Sequence, residues 1–214
     1  MCKEEIAAIN QRIRKEICKI TFQKLSDEKL MPLYIKSKSV LKNIEVLRKI
    51  LVSNKLEADT IKKIIMDYGD ALVSPGAKGV IRGNVFNGII KEHIEAMNLD
   101  EKKYEVCFEQ QCKTYPFSEK PDWFIRDIST NRLLIGMNQV ALWGGGHQVN
   151  RASKYILESK LDNKEIKLLC VVCNPVTVRK KKSNLYLLFK HGFGNNTLCY
   201  INNLKSIITD YFQH

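Results

Sequence analysis

Four residues capable of coordination chemistry stand where strand-like segments begin or end. Glu109 stands near the end of KYEVCFEQQ, Asp122 follows Pro121 just ahead of WFIRD, and Asn138 and Gln139 close LLIGMNQ. Carboxylate and carboxamide oxygens suit a hard divalent cation such as magnesium, which is typically held by one or two carboxylates together with phosphate oxygen and water. A cation so held acidifies a bound water and offsets the charge that builds on phosphorus during in-line attack.

A second set lies in NQVALWGGGHQVNRASK, residues 138–154. Three glycines beside a tryptophan cost backbone entropy unless the chain turns sharply or something comes close. One reading makes this a loop against nucleic acid, with Trp143 as a stacking surface and Gln148, Asn150 and Arg151 contacting bases or phosphates. The other makes it a strand-to-helix connector with Trp143 filling the core. His147, without a nucleophile or second histidine around it, reads as a polar loop residue. Further on, Arg179, Lys180, Lys181 and Lys182 form a concentrated positive run. It suits backbone phosphates and salt-dependent binding, but equally a solvated hairpin tip or an import signal.

The totals agree with a polyanionic partner. Thirty-five Lys and Arg against 23 Asp and Glu give a formal charge of +12 over 214 residues, a balance that favours nucleic acid. Hydrophobic content of 44 % is ample for a core, so the chain should fold without staples. Seven cysteines is an odd number, and no charged-then-apolar leader precedes them, so the expected setting is intracellular, cytoplasmic or nuclear, rather than secreted. Cys170 and Cys173 form a CxxC, but within a strand they point to opposite faces and read as structural thiols. No run of eighteen apolar residues appears, so no membrane partner is expected.

The elements that must position these residues follow from periodicity. Residues 1–73 read as a helical N-terminal extension of three helices with apolar residues recurring at three and four. Ser74-Pro75-Gly76 breaks the pattern and sets residue 74 as the start of a core domain running to 214. A helix over 83–99 carries Val85, Phe86, Ile89, Ile90 and Ile94 on one face. Strands follow at 104–109, 122–128 and 131–139, the last two joined by a polar turn at Ser129-Thr130-Asn131. A helix from His147 packs through Val149, Ala152, Tyr155 and Ile156, and IKLLCVVCN reads as a strand buried on both faces. A polar turn at 192–196 and a closing helix from NNLKSIITDYF complete the chain, and NNTLCYINN reads as turns and a helix cap. Three successive strands and a helical crossover to a fourth predict an α/β fold, a central mixed sheet flanked by helices.

Residues 78–175, with Gly83-Asn84-Val85-Phe86-Asn87 on the helix, Pro121-Asp122 opening strand two and LLIGMNQ as strand three, resemble the PD-(D/E)xK nuclease superfamily, the fold of type II restriction endonucleases. The resemblance implies a magnesium-dependent endonuclease acting on nucleic acid, double-stranded DNA above all, with a homodimer across two-fold sites by analogy. It places catalysis on Asp122 and on two strand-three positions that share a face, for which Met137 and Gln139 are the expected pair. Two departures stand out: Asn87 where such helices often show Glu, and Met137 where an acid belongs. Glu109 is then the expected second metal ligand beside Asp122. The amide oxygens of Asn138 or Gln139 are substitutes if a bulge rotates the strand, and Asp127 is the poorest choice. The missing lysine has candidate replacements in Gln148, Arg151 and Lys154, which share one side of the following helix. The rival class is a catalytically inactive nucleic-acid-binding or protein-interaction module on the same fold.

Overall fold

The apolar runs on either side of Ser129-Thr130-Asn131 fold into an antiparallel hairpin in the computed structural model. The structure describes residues 3–26, 49, 53–57, 59–60, 63–64, 67, 75–113, 120–140, 147–157, 165–173 and 184–213. Two compact units divide the chain, one of Ala7–Val85 and one of Phe86–His214 together with the first six residues. In the first unit, helix α1 (Lys3–Ser26) buries Ile13, Ile17 and Cys18, positions spaced to fall on one helical face. The second and third helices expected before residue 74 lie largely outside the described residues.

Helix α2 runs Pro75–Glu95, so its start corrects the reading of Ser74-Pro75-Gly76 as a break ahead of a helix at 83. Proline at the first helical position donates no N–H where none is needed, and its fixed φ already suits the helix. Gly79 and Gly83 therefore sit within the helix, whose later turns bury Phe86, Ile89, Ile90 and Ile94.

A five-stranded mixed sheet follows, β1 (Tyr104–Phe108), β2 (Trp123–Asp127), β3 (Leu133–Gln139), β4 (Ile166–Val172) and β5 (Leu198–Tyr200), in that spatial order. β1, β2 and β3 pair antiparallel, whereas β3, β4 and β5 pair parallel. The parallel half needs crossovers. Helices α3 (His147–Leu157) and α4 (Asn184–Gly194) supply them, and α5 (Ile201–Gln213) closes the chain. The architecture is thus α/β, a mixed sheet flanked by helices with an N-terminal helix ahead of it.

Which face each strand residue takes follows from the packing. Leu133, Ile135 and Met137 of β3 join Leu168, Cys170 and Val172 of β4 in a core with Ala152, Tyr155 and Ile156 of α3 and Leu188 and Phe189 of α4. Each of the Leu, Ile, Met, Val and Phe side chains among them contributes about 1.5–3 kcal/mol by leaving water. The intervening residues Trp123, Ile125, Leu134, Leu169 and Val171 are also buried, and their alternation assigns them to the opposite face.

The β2–β3 turn is held by Asp127. Its Oδ1 accepts from Ser129 Oγ at 2.6 Å, Ser129 N at 2.9 Å and Thr130 N at 3.1 Å, and Asn131 closes the reversal at a φ of 59°. Ser129's hydroxyl, aided by the turn amides, holds the Asp127 carboxyl below its usual range. Asp127, weighed as a distant substitute ligand, is therefore a turn staple.

Beyond β4, the polar turn expected at 192–196 begins only after α4 ends at Gly194, and a second expectation fails. NNTLCYINN was expected to be turns and a helix cap, but Leu198–Tyr200 is an edge strand with Leu198 and Cys199 buried. Thr197, also buried, donates from Oγ1 to the Ile156 carbonyl at 3.3 Å. Asn195 and Asn196 lie in the turn before it and Asn202 and Asn203 in α5 after it, while Leu198, Cys199 and Tyr200 between them pair with β4. At the other end of the sheet, the Tyr211 hydroxyl of α5 lies 2.8 Å from the Glu165 carbonyl and 3.2 Å from that of Leu133, tying the last helix to the starts of β3 and β4. The six described cysteines are free thiols, and burial pushes the Cys199 thiol up to about 12. Among the described residues, no helix is long and apolar enough to cross a membrane.

Candidate functional site

Asp122 sits one residue ahead of β2, half-buried behind the buried Pro121. Its backbone N–H donates to the Gly136 carbonyl at 3.1 Å, and its own carbonyl accepts from Glu109 N at 2.9 Å. The three strand ends are therefore laced together at the level of the carboxylate. One carboxylate oxygen, Oδ2, accepts from the Asn138 backbone N–H at 2.7 Å.

Glu109 reaches the same place by an irregularity. Regular alternation would send it to the face of Cys107, which packs against the α3 side of the sheet. Instead Glu109 takes a φ of 50°, a left-handed conformation that costs a non-glycine residue roughly 1–2 kcal/mol. The alternation breaks there, and its carboxylate turns to the α2 side. Asn87 of α2 meets both acids from above: its Nδ2 donates to Glu109 Oε1 at 3.3 Å and, at the limit of a hydrogen bond, to Asp122 Oδ1 at 3.5 Å.

Asn138 completes the cluster. Its Nδ2 donates to Asn87 Oδ1 at 3.0 Å, and its Oδ1 accepts the Trp123 indole N–H at 2.9 Å. Trp123 is fully buried and lies flat across Gly136, where an added Cβ would fall 1.8 Å from Cε2 of the ring. Only glycine allows that approach, and the approach aims the indole nitrogen at residue 138.

Asp122, Glu109 and Asn138 are thus brought together, joined by Asn87, which the sequence marked only as a departure. The expected pairing of Met137 with Gln139 is corrected. Met137 is fully buried in the α3-side core, and Gln139, paired with Val172 in unbroken register, shares that side by alternation. No bulge is needed to turn Asn138 toward Asp122. Lys154 is exposed on α3, the helix that packs on the Met137 side, so it does not stand over the carboxylates as a substitute lysine. Gln148, Asn150 and Arg151 fall within α3, but their side chains lie outside the description. Trp143 and the run Arg179, Lys180, Lys181 and Lys182 lie outside the described residues. Trp123 was not among the expected site residues, although the pairing of a strand tryptophan with Gly136 across a hairpin is a cue of close approach.

A magnesium ion, implied by the resemblance, can be tested against this donor set. The oxygens of Asp122 and Glu109 are hard and adjacent to one another through Asn87, which meets the minimum of one or two carboxylates. Asn138 Oδ1 is committed to Trp123 and adds nothing. Among the described residues no group of three or more His, Cys, Asp or Glu side chains gathers as a metal site, so the pair stands without a third acid.

No protein-family model matches the chain, and no curated protein matches it. Among solved structures it is similar to protein VC1899 from Vibrio cholerae, at 11 % identity and a TM-score of 0.41, over 96 % of this chain and 56 % of that one. The chain therefore spans little more than half the length of that protein.

Proposed function

We propose that the protein acts on nucleic acid as a divalent-cation-dependent phosphodiesterase of the restriction-endonuclease-like kind, with Asp122 and Glu109 as its cation ligands. The supporting observation is the meeting of Asn87, Glu109, Asp122 and Asn138 at one end of the antiparallel strands. That is the place where the sequence resemblance puts a phosphodiester site. When bound, the cation would supply an acidified water and offset charge on the phosphate. Asp122 is oriented for this work by the Asn138 N–H and by its backbone bonds to both neighbouring strands, and Glu109 is turned inward by its left-handed backbone. The formal charge of +12 favours a polyanionic substrate, and DNA is the one we propose.

Supercoiled plasmid incubated with Mg²⁺ or Mn²⁺ tests this directly. Cleavage by the wild type that falls at least ~100-fold in Asp122→Ala, in keeping with the loss of a metal-holding charge in the transition state, supports the proposal. Equal cleavage by both proteins refutes it.

A second reading is favoured by the residue types at the site: an amide, Asn138, stands where an acid would complete the cluster, and Val140, two residues later, offers no lysine. In that reading the same surface binds nucleic acid without cutting it. Wild type inert with every metal, but cleaving once Asn138→Asp and Val140→Lys are combined, selects the binding reading over the first.

A further inference from the structure

The amide orientations at the site are dictated from one end. An indole N–H can only donate, so the atom that Trp123 Nε1 meets at 2.9 Å is the oxygen of Asn138. Asn138 must then offer its nitrogen to Asn87, whose oxygen accepts it at 3.0 Å. Asn87 is left with its own nitrogen turned to the carboxylates of Glu109 and Asp122. An amide N–H₂ thus holds the place between the two acids that a cation would take.

We propose that Trp123 is a positioning residue that keeps the Asn87 amide in this cation-opposing orientation and thereby sets how weakly the site binds a divalent cation. The inference rests on the cation-binding reading of Asp122 and Glu109. For a cation to gain Asn87 Oδ1 as a ligand, the Asn87 amide must invert. Its nitrogen would then oppose the nitrogen of Asn138, two donors face to face, unless Asn138 inverts as well. Inverting Asn138 in turn opposes its nitrogen to the Trp123 N–H, which has no second form. Trp123 is fully buried, so its N–H finds no water to replace the lost acceptor. Inversion in the wild type therefore carries the cost of an indole N–H without an acceptor, and replacing the indole by a ring without a donor removes that cost when both amides invert together.

The sign of the effect separates this role from a structural one. A tryptophan that merely packs would, once cut back, loosen the site and weaken cation binding. The relay demands the opposite: Trp123→Phe binds Mn²⁺ roughly tenfold more tightly than wild type, the scale of one buried donor left without an acceptor.

Calorimetric titration of both folded proteins with Mn²⁺, beside Asp122→Ala, measures this. Tighter binding by Trp123→Phe that Asp122→Ala abolishes supports the relay. Equal or weaker binding by a folded Trp123→Phe overturns the relay while leaving the proposed function standing, provided that Asp122→Ala still weakens binding. Wild-type affinity unchanged in Asp122→Ala overturns the cation site itself and the relay with it, as does the absence of binding by wild type and Trp123→Phe alike. Should the Phe variant not fold, the wild type decides through its Trp123 indole N–H resonance in ¹⁵N spectra taken with Mg²⁺. Relay inversion at saturation breaks the bond to Asn138 and moves that resonance to the position of a non-hydrogen-bonded indole. A resonance unchanged at saturation overturns the proposal.

Discussion

Substituting Gly136 by alanine concentrates the effect of one methyl group on the residue that organises the site. The added Cβ would lie 1.8, 2.1 and 2.4 Å from Cε2, Cζ2 and Cδ2 of Trp123, against an ordinary carbon contact of about 3.5–4.0 Å. The indole must therefore retreat by roughly 2 Å within a core where it is fully buried. Overpacking of this kind costs about 1–3 kcal/mol, and the retreat also breaks the N–H bond to Asn138, worth about 1 kcal/mol. A loss of about 2–4 kcal/mol results, which at a urea dependence near 2 kcal/mol/M lowers the unfolding midpoint by about 1–2 M. Urea titration followed by circular dichroism measures it. The double-mutant cycle with Trp123→Leu identifies the cause: in the leucine background, Gly136→Ala costs at least about 1 kcal/mol less, since the atoms it strikes are gone. Gly136→Ala within about 0.5 kcal/mol of wild type, or an equal cost in both backgrounds, refutes the argument.

Other outcomes follow from the same contacts. Asp127→Asn weakens the three bonds that hold the turn and destabilises the protein at pH 7 by about 1–2 kcal/mol. Because the folded carboxyl lies below its unfolded value, the contribution is present above about pH 4 and is lost as pH falls through the folded value, so the acid limb of a stability–pH curve is shallower in the variant. Cys199, buried with its thiol pushed up to about 12, resists alkylation at pH 8 and reacts only on unfolding, whereas the half-buried Cys107 is labelled in the native protein; peptide mass mapping after a timed iodoacetamide pulse reads the difference. Under the proposed function, DNA affinity falls steeply with salt, by about tenfold or more between 50 and 200 mM, and a flat dependence in a filter-binding titration argues against phosphate contacts.

The elements of the sheet were largely legible because each carries a local signal. KYEVCF alternates, WFI and LLIG are apolar runs on either side of the Ser129-Thr130-Asn131 turn, and IKLLCVV is nearly all apolar, as a strand covered on both faces should be. What the sequence left open was parity. Leu133, Leu134 and Ile135 are all fully buried, so β3 offers no polar face by which to tell one side from the other, and the choice between Asn138 and Gln139 had no local evidence. Glu109 arrives by a positive φ that no periodicity announces. β5 escaped because three residues flanked by asparagines are too short for alternation to appear, and their strand identity comes only from pairing with β4. The early start of α2 was hidden by Pro75 and Gly76, which punctuate loops and open helices equally well.

The Asp127 staple carries a consequence beyond its own turn. Side chains along a strand swap sides with every step of pairing, so the length of the reversal at residues 128–131 decides which amide is delivered to the carboxylates. A single inserted residue there that slid β3 along β2 by one place would bring Gln139 or Met137 to the water-facing acids and carry Asn138 into the greasy interior. The polar cluster is thus addressed by a four-residue loop on the far end of the hairpin, and a length change in that loop rewrites the site without touching any residue in it.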